Sequence, residues 1–200
     1  MEDIAQKIVD KDYLGLIDTC EALEFEIAAF PHDSVPIAHV YSTLLTCYLI
    51  VNDLNSARFL RKRILQHYKT ENQVPELLNA IWQVGTALWN KALPEAYIAL
   101  DAYQWDDDMK PLMLALKESI QENAYNLICQ SFSAIRANSV ATMLGSSEDA
   151  LAAELIKRGW TIDTEKQIWN PVKAVALVQH NISLSQLSTL EDTLVYLESS

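Results

Sequence analysis

Three short segments recur roughly every 40 residues: Lys11-Asp12-Tyr13-Leu14-Gly15-Leu16, Asn52-Asp53-Leu54-Asn55-Ser56-Ala57 and Lys91-Ala92-Leu93-Pro94-Glu95-Ala96. Each falls where one run of helically spaced apolar residues ends and the next begins. A repeat of this period is one helical hairpin that cannot bury its apolar face alone, so successive hairpins must stack to make a continuous core. The chain is therefore expected to begin as an α-solenoid, right-handed by analogy with other stacked helix pairs. Only four glycines and six prolines in 200 residues leave room for long helices and argue against an all-β fold.

Between the repeats the apolar period marks the individual helices. A short helix is expected over residues 3–10, and a longer one from Asp12 that turns Leu16, Cys20, Leu23 and Ile27 inward. The stretch 31–36, bounded by two prolines, ends it. The run 36–51 is apolar nearly all round, which predicts a helix covered on more than one face. A return helix follows over 54–68, burying Ala57, Leu60, Ile64 and Tyr68. Pro75 opens a helix with Leu78, Trp82, Gly85 and Trp89 on one face, where Gly85 predicts close approach of a neighbouring helix. Pro94 opens the next, closed by Tyr103-Gln104-Trp105. Asp106, Asp107 and Asp108 then put negative charge before a long helical region that reaches Ile135, with a break near Asn123.

Residues 139–171 change character. Ser139 is placed to cap a short helix ending at Gly145, and Ser146 or Ser147 to cap a second helix that carries Leu151, Leu155 and Ile156 inward and ends at Gly159. Trp160-Thr161-Ile162 and Gln167-Ile168-Trp169 are β-prone runs around Asp163-Thr164-Glu165-Lys166, which predicts a hairpin. Two short helices followed by a hairpin describe a winged helix. Such a unit reads nucleic acid or offers a sheet edge to another protein.

Charge separates these uses. The formal net charge is −12, which opposes the electrostatic attraction behind nucleic-acid binding and behind adhesion to anionic membranes. The helix that would enter a major groove carries Glu148, Asp149 and Glu154 against Lys157 and Arg158. Protein partners are expected, with the wing, including Trp160, Ile162, Ile168 and Trp169, as an interface through strand addition. A second interface is expected near the C-terminus, where Leu187, Leu190, Leu194 and Leu197 form a two-heptad seam capped by Ser183 or Ser185. A helix of roughly 14 residues is marginal alone in water, so the seam needs a surface, either its own domain or a bundle with other chains. Residues 172–182 between wing and seam read as a last strand and a linker. Arg58, Arg61, Lys62 and Arg63 concentrate positive charge, and Arg58, Lys62 and Lys69 form a candidate docking patch for an acidic partner, unless they are simply a solvated helix face.

No catalytic or metal-binding pattern stands out. His32, His39, His67 and His180 are single, there is no His-Glu-x-x-His and no Gly-rich phosphate loop, and no metal or cofactor is expected. Cys20, Cys47 and Cys129 are isolated among apolar residues and read as buried reduced thiols of an intracellular protein. The first residues show no signal-peptide pattern and no apolar run has the length of a membrane span, so the chain is expected to be soluble and not secreted.

A helical stack running into a winged helix is the plan of the PCI domain, named for the proteasome lid, the COP-nine signalosome and translation initiation factor three. The chain resembles the small PCI subunits of that family, those of the signalosome above all. The resemblance rests on Asn52-Asp53-Leu54-Asn55-Ser56-Ala57-Arg58-Phe59-Leu60 with Lys62-Arg63-Ile64, on Ile81-Trp82-Gln83-Val84-Gly85 with Leu88-Trp89, on Tyr103-Gln104-Trp105, on Gly159-Trp160-Thr161-Ile162-Asp163, and on Leu194-Val195-Tyr196-Leu197-Glu198. It implies a mainly α PCI domain in three parts: helical repeats over 1–122, a winged-helix subdomain over 123–172, and a linker with a bundle helix over 173–200. It also implies a non-catalytic scaffold subunit of the cytoplasm and nucleus that binds neither nucleic acid nor membrane. In that family the winged helices join edge to edge, here next to subunit three of the signalosome, and the last helices of several subunits form a bundle. The assembly removes the ubiquitin-like modifier Nedd-eight from cullins. A small PCI subunit of the proteasome lid or of initiation factor three remains an alternative, as does a winged-helix nucleic-acid-binding protein.

Overall fold

The computed structural model describes residues 2–29, 36–69, 74–163 and 167–172. Its helical stack comprises α1 (Glu2–Val9), α2 (Tyr13–Ala29), α3 (Ile37–Ile50), α4 (Leu54–His67), α5 (Glu76–Trp89), α6 (Leu93–Ala102) and α7 (Lys110–Ser131). The winged helix adds β1 (Ile135–Arg136), α8 (Ala137–Leu144), α9 (Glu148–Lys157), β2 (Thr161–Asp163) and β3 (Ile168–Asn170). The terminal leucine seam, residues 173–182 and Thr164-Glu165-Lys166 lie outside the described residues.

The all-round apolar run becomes the axis of the stack. Every residue of α3 from Val40 to Ile50 is buried, and α3 packs against α2, α4, α5 and α7. Gly85 admits one of these contacts, since a Cβ there would lie 3.3 Å from Leu49 Cδ2 on α3.

The three repeated segments share one backbone device. Lys11, Asn52 and Lys91 take φ values of 55°, 61° and 59°. The amide after each donates to a carbonyl five residues earlier: Asp12 to Lys7 at 3.0 Å, and Asp53 to Tyr48 and Ala92 to Ala87 at 2.9 Å. This Schellman closure satisfies carbonyls left open at the end of a helix and reverses the chain into the next. Asp12 and Asp53 then cap the following helix by accepting from the Gly15 and Ser56 amides at 2.9 and 3.0 Å. Ala92 has no side chain for this, and α6 has a proline in its first turn, where an unpaired N–H would otherwise stand.

α7 departs from expectation. It runs unbroken through Asn123 and stops at Ser131, short of Ile135. Neither Pro nor Gly occurs from Leu112 to Leu144 to break it. Its first half, through Leu112, Leu116 and Ile120, belongs to the core of the helical stack. Its second half, through Ala124, Ile128 and Cys129, belongs to a second core with Leu144, Leu151, Leu155, Trp160 and Trp169. One rigid helix thus serves both cores.

Ile135 is a strand residue. β1 pairs with β3 through Ile135↔Trp169 and Arg136↔Ile168, which gives an antiparallel sheet in the order β1-β3-β2. α8 starts at Ala137, before Ser139, and its N-cap residue Arg136 makes no side-chain cap. Ser147 precedes α9 but also makes no side-chain cap. Gly145 closes α8 at φ 62°, as expected of a left-handed C-terminal cap. Leu151 and Leu155 are buried, but Ile156 is 57% exposed, because it lies one residue past the inward face of α9.

Candidate partner interface

Among the described residues β3 is the central strand and no strand pairs with the outer side of the three-residue β2. Thr161 and Ile162 on it are exposed, Ile162 at 40%. Ile168 on β3 is half-buried. Trp160 and Trp169 correct the expectation that the wing tryptophans face a partner: they are 2% and 4% exposed and form the core beneath the sheet. Their size made them look like interface anchors, yet a three-stranded sheet this small needs both rings to cover its inner face.

That core also fixes the direction of the edge. The Trp160 ring stacks on Tyr125 of α7 at 5.3 Å between centroids, and its indole N–H donates to the Tyr125 hydroxyl at 2.9 Å. The Arg158 guanidinium lies over the Tyr125 ring, 4.3 Å from its centroid. Arg158 donates to Glu122 on α7 at 2.8 Å and to Glu154 on α9 at 3.0 Å. Burial holds the Tyr125 hydroxyl above its usual value, and the bond to Glu122 raises the guanidinium. A second set of bonds ties the winged helix to the stack. Tyr97 of α6 donates to the Met143 carbonyl at 3.1 Å, and Gln121 of α7 donates to the Leu144 carbonyl at 3.0 Å.

With Arg158 engaged by two carboxylates, Lys157 is the other cation of an α9 sequence that also holds Glu148, Asp149 and Glu154. The geometry adds nothing to the charge a nucleic-acid backbone would need.

The basic cluster of α4 separates into two kinds. Arg63 binds Glu24 of α2 through both ends of its guanidinium at 2.9 Å. Arg61 donates to Asn79 of α5 at 2.7 Å and lies 5.9 Å from the Trp82 ring. These two hold helices together. Arg58 and Lys62 face outward, Arg58 over the Trp89 ring at 5.2 Å and Lys62 over Phe59 at 5.4 Å. Lys69 is exposed just past the end of α4. The sequence reading missed the aromatic half of this surface: Phe59 is 59% and Trp89 45% exposed. The i, i+1 adjacency of Arg58 and Phe59 was visible, but the proximity of Trp89 depends on how α5 packs.

Among the described residues, no group of three or more His, Cys, Asp or Glu is placed to hold a metal ion, and no helix is long and apolar enough to cross a membrane. Cys20, Cys47 and Cys129 are buried free thiols. Burial pushes Cys20 up to about 11 and raises Cys47 further.

The family model described as the CSN8/PSMD8/EIF3K family matches residues 37–181, from the start of α3 to beyond the wing. The chain belongs to this family. It is 39% identical over 163 residues to a Danio rerio protein named COP9 signalosome complex subunit 8, covering 80% of this chain and 82% of that one. Relatives of the same name from Xenopus laevis and Arabidopsis thaliana are 30% identical over 187 residues and 29% over 201. These cover 92% of this chain and 91% of the frog protein, and 99% of this chain and 98% of the plant protein. Family membership accords with the helical stack and small winged helix described above.

Proposed function

We propose that this chain is a non-catalytic scaffold subunit of a COP9 signalosome, attached at two places to other subunits of the complex that removes Nedd-eight from cullin-RING ubiquitin ligases. The observation that carries the reading is similarity over nearly the whole chain to proteins named COP9 signalosome complex subunit 8. The outer side of β2, which pairs with no described strand, supports the first attachment, to a neighbouring PCI subunit, subunit three in this reading. The leucine seam Leu187, Leu190, Leu194 and Leu197 supports the second, in a helical bundle. Residues 1–122, 123–172 and 173–200 act as repeat, winged-helix and bundle parts in this scheme, in keeping with the change of core along α7 between Ile120 and Ala124. The protein works in the cytoplasm and nucleus. Arg58, Lys62 and Lys69 remain a docking patch for an acidic surface.

The double variant Leu190→Asp with Leu194→Asp tests the bundle attachment. It is expected to leave the helical circular dichroism largely unchanged and to remove the chain from the complex that co-purifies with it. Retention in that complex refutes the bundle role. Mass spectrometry of the partners separates this reading from a proteasome-lid or initiation-factor subunit, because each assembly brings a different set of PCI proteins.

A further inference from the structure

The two largest described grooves along α7 differ in charge. One, of about 710 Å³ against the winged helix, is lined by Glu118, Glu122 and Glu154 together with Lys11 and Arg158. The other, of about 770 Å³, runs between the α3–α4 turn, the end of α5 and α7. Its apolar floor includes Leu88, Leu93 and Leu127, its polar lining is amide from Asn52, Asn123, Asn126 and Gln130, and Lys91 is the one charged residue among the described lining residues. Among the described residues no carboxylate lines it: Asp53, beside Asn52 in sequence, is turned onto the Ser56 amide, and Glu95 does not reach the groove. Trp89 joins this groove to the outward Arg58, and the exposed Trp89 and Leu127 leave it an apolar surface. In a chain of net charge −12, an acid-free apolar groove with cations at its margin selects an apolar helix flanked by carboxylates.

The chain contains one such segment. After Lys173 there is no Lys or Arg, while Glu191, Asp192 and Glu198 accompany Leu187, Leu190, Leu194 and Leu197. At helical spacing Glu191 and Glu198 fall on the same side of the leucine stripe, one heptad apart. We infer that in the unassembled protein this C-terminal segment docks in the acid-free groove of its own chain, leucines on Trp89 and Leu127 and carboxylates toward Lys91 and Arg58. Reach is sufficient: the 15 residues from Val172 to Leu187 span up to about 50 Å when extended, against about 40 Å for the diameter of a compact domain of this length. Tethering raises the effective concentration of the segment to about millimolar, so weak docking is enough to shield the leucines. Assembly then exchanges one apolar surface for another. This inference goes beyond the signalosome reading and does not require it.

The test uses the isolated full-length protein and a zero-length carbodiimide, which joins only amines and carboxylates already in contact. Peptide mapping of the monomer is expected to find Lys91 or Lys62 joined to Glu191, Asp192 or Glu198. Leu127→Asp, a change at an exposed position, is expected to lower that yield about tenfold while leaving thermal unfolding unchanged. In hydrogen exchange, Lys91→Glu is expected to lower amide protection over 187–197, and Glu191→Lys in the same chain to restore it. The inference is overturned if these carboxylates join Lys11, Lys117 or Lys157 instead, if the links occur only in a cross-linked dimer, or if none forms. Loss of co-purification by the leucine double variant alongside absent cross-links would refute the groove and leave the assembly reading standing.

Discussion

Gly145→Ala tests whether the helical stack and the winged helix act as one body. Gly145 ends α8 at φ 62° and ψ 34°, and an added Cβ would sit 2.3 Å from Cδ2 of the Tyr97 ring. Tyr97 is only 5% exposed, so its ring has no open space to swing into. The left-handed backbone alone costs an alanine about 1 kcal/mol. Displacing a packed ring costs about 1–3 kcal/mol more. The Tyr97 hydroxyl bond to Met143 O, worth about 1 kcal/mol, goes with it. The expected loss is about 3–5 kcal/mol, a large part of the about 5–15 kcal/mol that holds a domain together. Urea unfolding followed by circular dichroism measures it, and a second variant isolates the cause. Tyr97→Leu removes the rigid ring, so Gly145→Ala in that background should cost about 1–2 kcal/mol, leaving a coupling energy above about 1 kcal/mol. A cost for Gly145→Ala within about 0.5 kcal/mol of zero, or the same cost in both backgrounds, refutes the steric argument.

Two further predictions concern polar groups in the stack. The Thr43 hydroxyl is buried without a hydrogen-bond partner, whereas Thr46 Oγ1 donates to the Ser42 carbonyl at 2.8 Å; Thr43→Val is therefore expected to stabilise by about 1 kcal/mol and Thr46→Val to destabilise by about 0.5–1 kcal/mol, read as shifts of the urea midpoint. Asp53 is held below its ordinary value of 3.8 by hydrogen bonds from Ser56; a depressed carboxyl contributes stability above its unfolded value that is lost as the pH falls through the folded one. Asp53→Asn keeps a capping oxygen without that titration, so unfolding curves of the two proteins should converge as the pH drops below 3.8, and an unchanged gap would show that the cap contributes nothing through its charge.

The repeat was the most legible feature of the sequence because it recurs in the chemistry of turns. Lys-Asp, Asn-Asp and Lys-Ala at the same point in three hairpins mark a left-handed residue, followed in the first two by an aspartate cap. What the letters did not carry was the shared geometry, since lysine is not a residue that announces a positive φ. The wing hairpin was legible from its β-prone runs, but β1 was not. Two residues, Ile135 and Arg136, give no period, and their pairing with β3 is a long-range contact. The same limit explains the tryptophans. Sequence shows that Trp160 and Trp169 are large and lie in a hairpin, but which side of a strand faces the core depends on α7, where Tyr125 waits some 35 residues earlier. The basic cluster divided for a related reason. Arg61 and Arg63 reach Asn79 and Glu24 on other helices, and only the packed stack separates them from Arg58 and Lys62.

The dimensions of the wing bear on how such a chain is held. β2 has three residues, enough for about two to four backbone hydrogen bonds to a neighbouring strand, each worth about 0.5–1.5 kcal/mol net, so roughly 1–6 kcal/mol in all. Losing translational and rotational freedom on association costs about 4–15 kcal/mol. An edge this short cannot hold a partner by strand pairing alone. What it can do is orient one, because Trp160, Tyr125 and Arg158 fix the wing to α7, and α7 is fixed to the stack by its share of both cores. In the proposed scaffold the affinity must come from somewhere else on the chain, and moving the four seam leucines from water onto a partner, at about 1.5–3 kcal/mol each, would supply about 6–12 kcal/mol less the part that docking in the chain's own groove already shelters. Strength at the seam and direction at the edge are therefore expected to fail separately. A charge placed on the leucines should abolish binding outright, whereas Ile162→Pro on the edge strand should leave a partner bound through the seam but wrongly placed, which cross-linking between neighbouring wings would detect as lost contacts in an intact complex. If the proline alone released the chain, the edge would be carrying affinity that its length does not allow.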